Sequence, residues 1–156
     1  MPRKKTNKEY GSLLEQFGMK PYKAKAREKY MSNKQLKHFK NILLTWKAQL
    51  ENEANKTVHH IKNESVNFAD PNDRASQESD FSLELRTRDR ERKLLKKIQF
   101  SIKKIENGSY GYCEETGEEI GLKRLEARPV ANLSLEAQER REIKDKQFSE
   151  GDDYLR

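Results

Sequence analysis

Asp70 and Asp73, in the run Phe68-Ala69-Asp70-Pro71-Asn72-Asp73-Arg74-Ala75, are the side chains of this sequence best spaced to do chemistry. Carboxylates three positions apart can meet a metal, a nucleic-acid backbone or a basic partner. The same D-P-x-D arrangement also has a purely structural reading. Asp70 is a good N-cap, Pro71 suits the first helical position, where a missing amide proton costs nothing, and Asp73 favours the helix dipole. Both readings can hold at once.

A second constellation lies in Tyr110-Gly111-Tyr112-Cys113-Glu114-Glu115-Thr116-Gly117-Glu118-Glu119-Ile120-Gly121, which reads as a knuckle. Cys113 with Thr116, and Ser134 with Ala137, reproduce the spacing of a four-cysteine zinc site. Only Cys113 is a thiol. The hydroxyls of Thr116 and Ser134 are poor zinc ligands and Ala137 is none, while His38, His59 and His60 all fall on an earlier helix. No structural zinc is expected. Packing of Tyr110, Tyr112, Ile120, Leu122, Leu125, Leu133, Leu135 and Ile143 is expected to replace coordination. Ser134 should cap a last helix from Leu135 to about Phe148, and the simplest reading of Cys113 is a small, partly buried apolar residue.

The elements that hold these groups follow from periodicity. Leu36, Phe39, Leu43, Trp46 and Leu50 have the 3-4 spacing of a coiled-coil seam, and Leu95, Ile98, Ile102 and Ile105 repeat it. A hairpin turning near Asp70 sets Leu36 against Ile105, Phe39 against Ile102, Leu43 against Ile98 and Trp46 against Leu95. Each helix, of roughly 34 residues, would extend about 50 Å. Toward the turn the seam weakens to Arg86, Arg88, Asp89, Arg90 and Glu91 facing Glu51, Glu53, Thr57 and Ile61, where exposed ion pairs contribute about 0 to 1 kcal/mol each. The distal half should be the more dynamic. Asn107-Gly108 suits the stop of the second helix.

The predicted fold is therefore mainly α: a long antiparallel coiled-coil hairpin with a small globular lobe, which contains a degenerate zinc-finger-like knuckle and a C-terminal helix. The expected organisation is a basic segment over 1–32 packing on the lobe, the arm over 33–107 with its tip at 68–76, and the lobe over 108–156. Composition agrees. A chain of 156 residues, 33% hydrophobic and 38% charged, suits a rod with one small lobe better than a single large core.

The net charge of +7 is uneven, with nine Lys or Arg against three acidic residues between Met1 and Lys29. Docking on a large mixed-charge assembly fits this balance. Sequence-specific DNA contact is not expected, because no reading helix with base-edge side chains stands out. No apolar run approaches the about 18 residues that cross a bilayer, and Met1-Pro2-Arg3-Lys4-Lys5 is not followed by a signal-type apolar core. The expected location is the cytoplasm. A single cysteine excludes an internal disulfide and agrees with a reducing compartment.

The tip run, the stretch from Phe81 to Leu94, the segments Gly111-Tyr112-Cys113-Glu114 and Glu119-Ile120-Gly121, and Arg124-Leu125-Glu126-Ala127-Arg128-Pro129 strongly resemble the DksA/TraR family of bacterial RNA polymerase-binding transcription factors. The match runs from about Pro21 to Gln147, and its D-x-x-D-x-A and R-L-E-A-R-P motifs are specific. The resemblance implies an arm that enters the secondary channel of RNA polymerase. The carboxylate of Asp73, assisted by Asp70 and Ala75, would then destabilise open promoter complexes, repressing stable-RNA promoters and activating some biosynthetic ones. It also implies action with the alarmone ppGpp, with Leu94, Lys97 and Arg128 on the ligand surface and Arg90 a polymerase contact. Gln138 stands where the family often has a lysine on that surface, and the missing cysteines resemble the family's zinc-independent variants.

The leading expectation is a monomeric regulator without catalysis. The alternative is a secondary-channel accessory that promotes transcript cleavage, with Asp70 and Asp73 positioning a catalytic magnesium. A third class is a coiled-coil adaptor, for which Asp73→Asn would leave function intact.

Overall fold

The computed structural model describes residues 12–63 and 70–153. Among the described residues, five helices follow in order: α1 Ser12–Gln16, α2 Asn33–Asn63, α3 Pro71–Asn107, α4 Leu122–Ala127 and α5 Leu135–Asp153. The expected tip residues Phe68 and Ala69, the stretch Glu64 to Val66, and the basic residues before Ser12 lie outside the described residues.

Local chemistry sets the ends of the arm. Ser32 precedes α2 in the pattern Ser-x-x-Gln, and Gln35, 1% exposed, accepts the Met31 amide at 2.8 Å. Asp70 caps α3 in extended conformation (φ −82°, ψ 127°), with Pro71 at the first helical position. Gly108 stops α3 at φ 75°, where a side chain would be strained, and its amide donates back to the last turn. At 1.5 Å per residue, the 31 residues of α2 and 37 of α3 extend about 45 Å and about 55 Å.

α2 and α3 pack against each other as the expected helical hairpin. Phe39, Leu43, Leu50, Ile98 and Ile105 of the predicted stripes are buried, and Leu36, Trp46, Leu95 and Ile102 are half-buried against the same core. Each fully buried side chain of this kind stabilises by about 1.5–3 kcal/mol. Ile42 and Ser101, outside those stripes, are also enclosed. The lobe closes over the root of the arm, bringing the Tyr110 ring 5.7 Å from Phe39, and widens the seam there. Buried residues of α3 are confined to Ile98, Ser101 and Ile105.

In the lobe, Leu14, Cys113, Ile120, Leu125, Val130, Ala131 and Ala137 join Tyr110 in the core. Three residues assigned to that core from sequence are instead exposed: Tyr112, Leu135 and Ile143. Ala137 in the first turn of α5 is buried, whereas Leu135 just before it and Ile143 farther along the helix meet solvent. α5 also runs past the expected Phe148 to Asp153.

The segment between α1 and α2 ties lobe to arm. The Tyr30 hydroxyl donates to the Gly111 carbonyl at 2.8 Å and accepts the Gly121 amide at 2.9 Å. The Tyr22 amide donates to Glu126 at 2.6 Å, and α1 packs on α4. Among the described residues, no helix is long and apolar enough to cross a membrane.

Candidate functional site

At the tip, Oδ1 of Asp70 accepts the Asn72 amide at 3.0 Å, and the Asp70 carbonyl accepts the Arg74 amide at 3.0 Å. One carboxylate oxygen of Asp70 is thus committed to the helix start. Asp73 lies in the first turn, where the dipole favours its charge, and Asp70, Asp73 and Ala75 are all exposed. This end of α3 is the one remote from the lobe. The arrangement presents fixed negative charge at the end of a long, narrow projection.

Further along α3, Arg90 is exposed and Leu94 is half-buried against the core. Asp89, held below the usual carboxylate range by Lys93 first and Arg92 second, pairs with both within the helix. The cross-helix pair Lys40–Glu106, at 3.8 Å, sits at the root.

Where arm and lobe meet, a cavity of about 340 Å³ brings together Lys97 of α3, Arg124 of α4, Arg128 just after it, and Gln138 and Arg141 of α5. Three residues singled out from sequence, Lys97, Arg128 and Gln138, therefore share one wall-to-wall space, whereas Leu94 does not line it. Arg124 is fixed by its Nε–H, which donates to the Leu133 carbonyl at 3.0 Å. Glu114 and Asp145 are the acidic groups of the lining. Glu114 is paired with Lys104, whose ammonium also lies 5.1 Å above the Phe100 ring. The remaining balance is cationic, and guanidinium groups converging from separate elements suit phosphate oxygens. Sequence reasoning missed Arg124 and Arg141. The signal was available for Arg141, which lies three residues after Gln138 and hence on the same helical face.

The knuckle shows what stands in place of metal ligands. Cys113 is 3% exposed. Burial pushes its thiol up, but the Thr116 hydroxyl and the amides of Ser134, Thr116 and Glu115 hydrogen-bond the sulfur and bring it down to about 6. Ser134 Oγ accepts the Ala137 amide at 3.3 Å as the cap of α5, and Ala137 is fully buried. One sulfur, two hydroxyls engaged with neighbouring groups and a methyl do not make a donor set for tetrahedral zinc. Among the described residues, no group of three or more His, Cys, Asp or Glu could hold a metal ion. Backbone bonds complete the turn: the Cys113 amide donates to Glu118 at 2.8 Å, and the Glu114 amide to Asn132 at 2.9 Å.

Two family models match the chain: the N-terminal domain of DnaK suppressor protein DksA over residues 35–105, and the prokaryotic dksA/traR C4-type zinc finger over residues 108–142. The RNA polymerase-binding transcription factor DksA of Salmonella typhimurium strain LT2 is 52% identical over 138 residues, 88% of this chain and 91% of that protein. Its Escherichia coli K12 counterpart is 51% identical with the same coverage. That of Buchnera aphidicola is 52% identical over 148 residues, 94% of this chain and 98% of that protein. The solved structure of transcription factor DksA2 from Pseudomonas aeruginosa superposes with a TM-score of 0.70 at 35% identity, covering 78% of this chain and 95% of that one.

Proposed function

The chain belongs to the DksA family, whose members similar to it are RNA polymerase-binding transcription factors, and from that premise we propose how it acts on the enzyme. It is a transcription regulator that binds RNA polymerase. The arm enters the secondary channel, where the Asp73 carboxylate, with Asp70 and Ala75 beside it, lowers the stability of open promoter complexes. Stable-RNA promoters are repressed and some biosynthetic promoters activated. The observation that carries this reading is the Asp70-capped start of α3, which leaves Asp73 exposed at the end remote from the lobe.

In this reading ppGpp binds where the polymerase rim closes over the cavity of Lys97, Arg128 and Gln138, with Leu94 beside it, and Arg90 contacts the polymerase. The protein works as a cytoplasmic monomer, without catalysis and without zinc. Monomeric state is supported by the pairing of α2 with α3 inside one chain. Transcript cleavage is the weaker mechanism, since Asp70 is bound into the start of α3 as its cap and the similar proteins are transcription factors.

Transcription in vitro with purified polymerase from a stable-RNA promoter, with and without ppGpp, tests the proposal. Wild type should repress and Asp73→Asn should bind polymerase without repressing. Equal repression by both removes the tip from the mechanism. Release of short 3′ RNA fragments from stalled complexes would instead favour cleavage.

A further inference from the structure

We infer that Arg141 supplies the cation that Gln138 does not, making it a specificity-determining residue of the root cavity for a ligand with diphosphate groups. The inference rests on the ppGpp reading above. Gln138 and Arg141 lie three positions apart on α5 and line the same cavity, so a charge lost at one is recovered a single turn away. The Gln138 amide is turned along the helix, its Nε2 donating to Glu142 at 2.8 Å. Being a neutral amide, it offers the cavity no charge, and this hydrogen bond occupies one of its donors.

The position of Arg141 depends on how α5 is attached. The Ser134 cap and the buried Ala137 fix the first turn, and Arg141 is four residues beyond Ala137 on the next turn. Its guanidinium is exposed and lines the cavity with Lys97, Arg124 and Arg128. Lys97 comes from the arm and Arg128 from the end of α4, so an anion bound among them touches several elements. A planar, permanently charged fork is suited to a diphosphate oxygen pair. Asp145, one turn after Arg141, works against that ligand by repulsion.

The test is a ppGpp titration in the in vitro transcription assay with complete protein and polymerase. Arg141→Ala should raise the concentration for half-maximal response about tenfold, the value of one charge-assisted contact. Adding Gln138→Lys to Arg141→Ala should restore the wild-type titration, which a merely structural role for Arg141 would not allow. Asp145→Asn should lower the half-maximal concentration. If Arg141→Ala titrates like wild type while Lys97→Ala is impaired, the Arg141 assignment fails and the ppGpp site stands. If neither variant changes the titration, the ppGpp reading itself fails and takes this inference with it.

Discussion

The hydroxyl of Tyr110 donates to the carbonyl of Pro129 at 2.7 Å within the core, joining the end of the arm to the loop that carries Arg128. Burial pushes the Tyr110 phenol well above its usual range, so it remains a donor at any working pH. Tyr110→Phe should lower stability by about 1–3 kcal/mol, because the Pro129 carbonyl is left buried without a partner. Urea denaturation measures the change, and an unaltered midpoint would show that the carbonyl finds another donor.

Burial along the arm is graded, and stability should follow it. Ile98→Ala, at a fully buried position, should destabilise by about 2–5 kcal/mol. Leu83→Ala, at a position 59% exposed, should stay within about 0.5 kcal/mol. Equal losses would mean that the distal helices are packed more tightly than their exposure indicates.

The tip aspartates should separate by role. Asp70→Ala removes the acceptor of the Asn72 amide and should weaken the start of α3 by about 0.5–2 kcal/mol. Hydrogen exchange over the first turns of α3 should accelerate in Asp70→Ala and not in Asp73→Asn. The reverse order would make Asp73 the structural residue.

Metal content follows from the donor set around Cys113. Elemental analysis of protein purified without chelator should find far less than one zinc per chain, and chelator should leave the unfolding temperature unchanged. Stoichiometric zinc would mean that ligands come from beyond Cys113, Thr116, Ser134 and Ala137.

Glu28 provides a pH signature. The hydroxyls of Ser32 and Tyr22 and the amide of Lys25 hold its carboxyl at about 2. Since the folded value is depressed, its contribution is complete above the ordinary carboxylate range, near 4.5, and is lost as pH falls toward 2. Glu28→Gln should therefore destabilise at pH about 7, with the difference from wild type shrinking below pH about 4. A difference independent of pH would assign the effect to packing.

The hairpin, its caps and the family were legible in the sequence because they are written in local spacing. Asp70-Pro71 and Asn107-Gly108 mark helix ends through backbone chemistry that needs no tertiary context. Leu43 and Ile98 announce themselves through periodicity. Ile42 and Ser101 do not, since their burial comes from the lobe closing over the root. The Tyr30 bridge to Gly111 and Gly121 joins residues 81 and 91 positions apart, beyond any local pattern. Leu135 and Ile143 misled because apolar character reports burial only when a partner surface exists. At the root cavity, Lys97 and Arg128 came from motif resemblance and Arg141 could have been read from its helical spacing to Gln138, whereas Arg124 required knowing how α4 is placed.

The confinement of the buried α3 residues to Ile98, Ser101 and Ile105 anchors the hairpin at one end. Asp73 stands about 38 Å along the helix from Ile98, so a tilt of about 5° there would displace it by about 3 Å, the length of one hydrogen bond. An anchor at the root alone would leave Asp73 loosely aimed. If the arm is seated in the polymerase as proposed, the walls around the shaft set the positional tolerance at the aspartate, and loosening them should blunt the regulator as surely as a blunted tip.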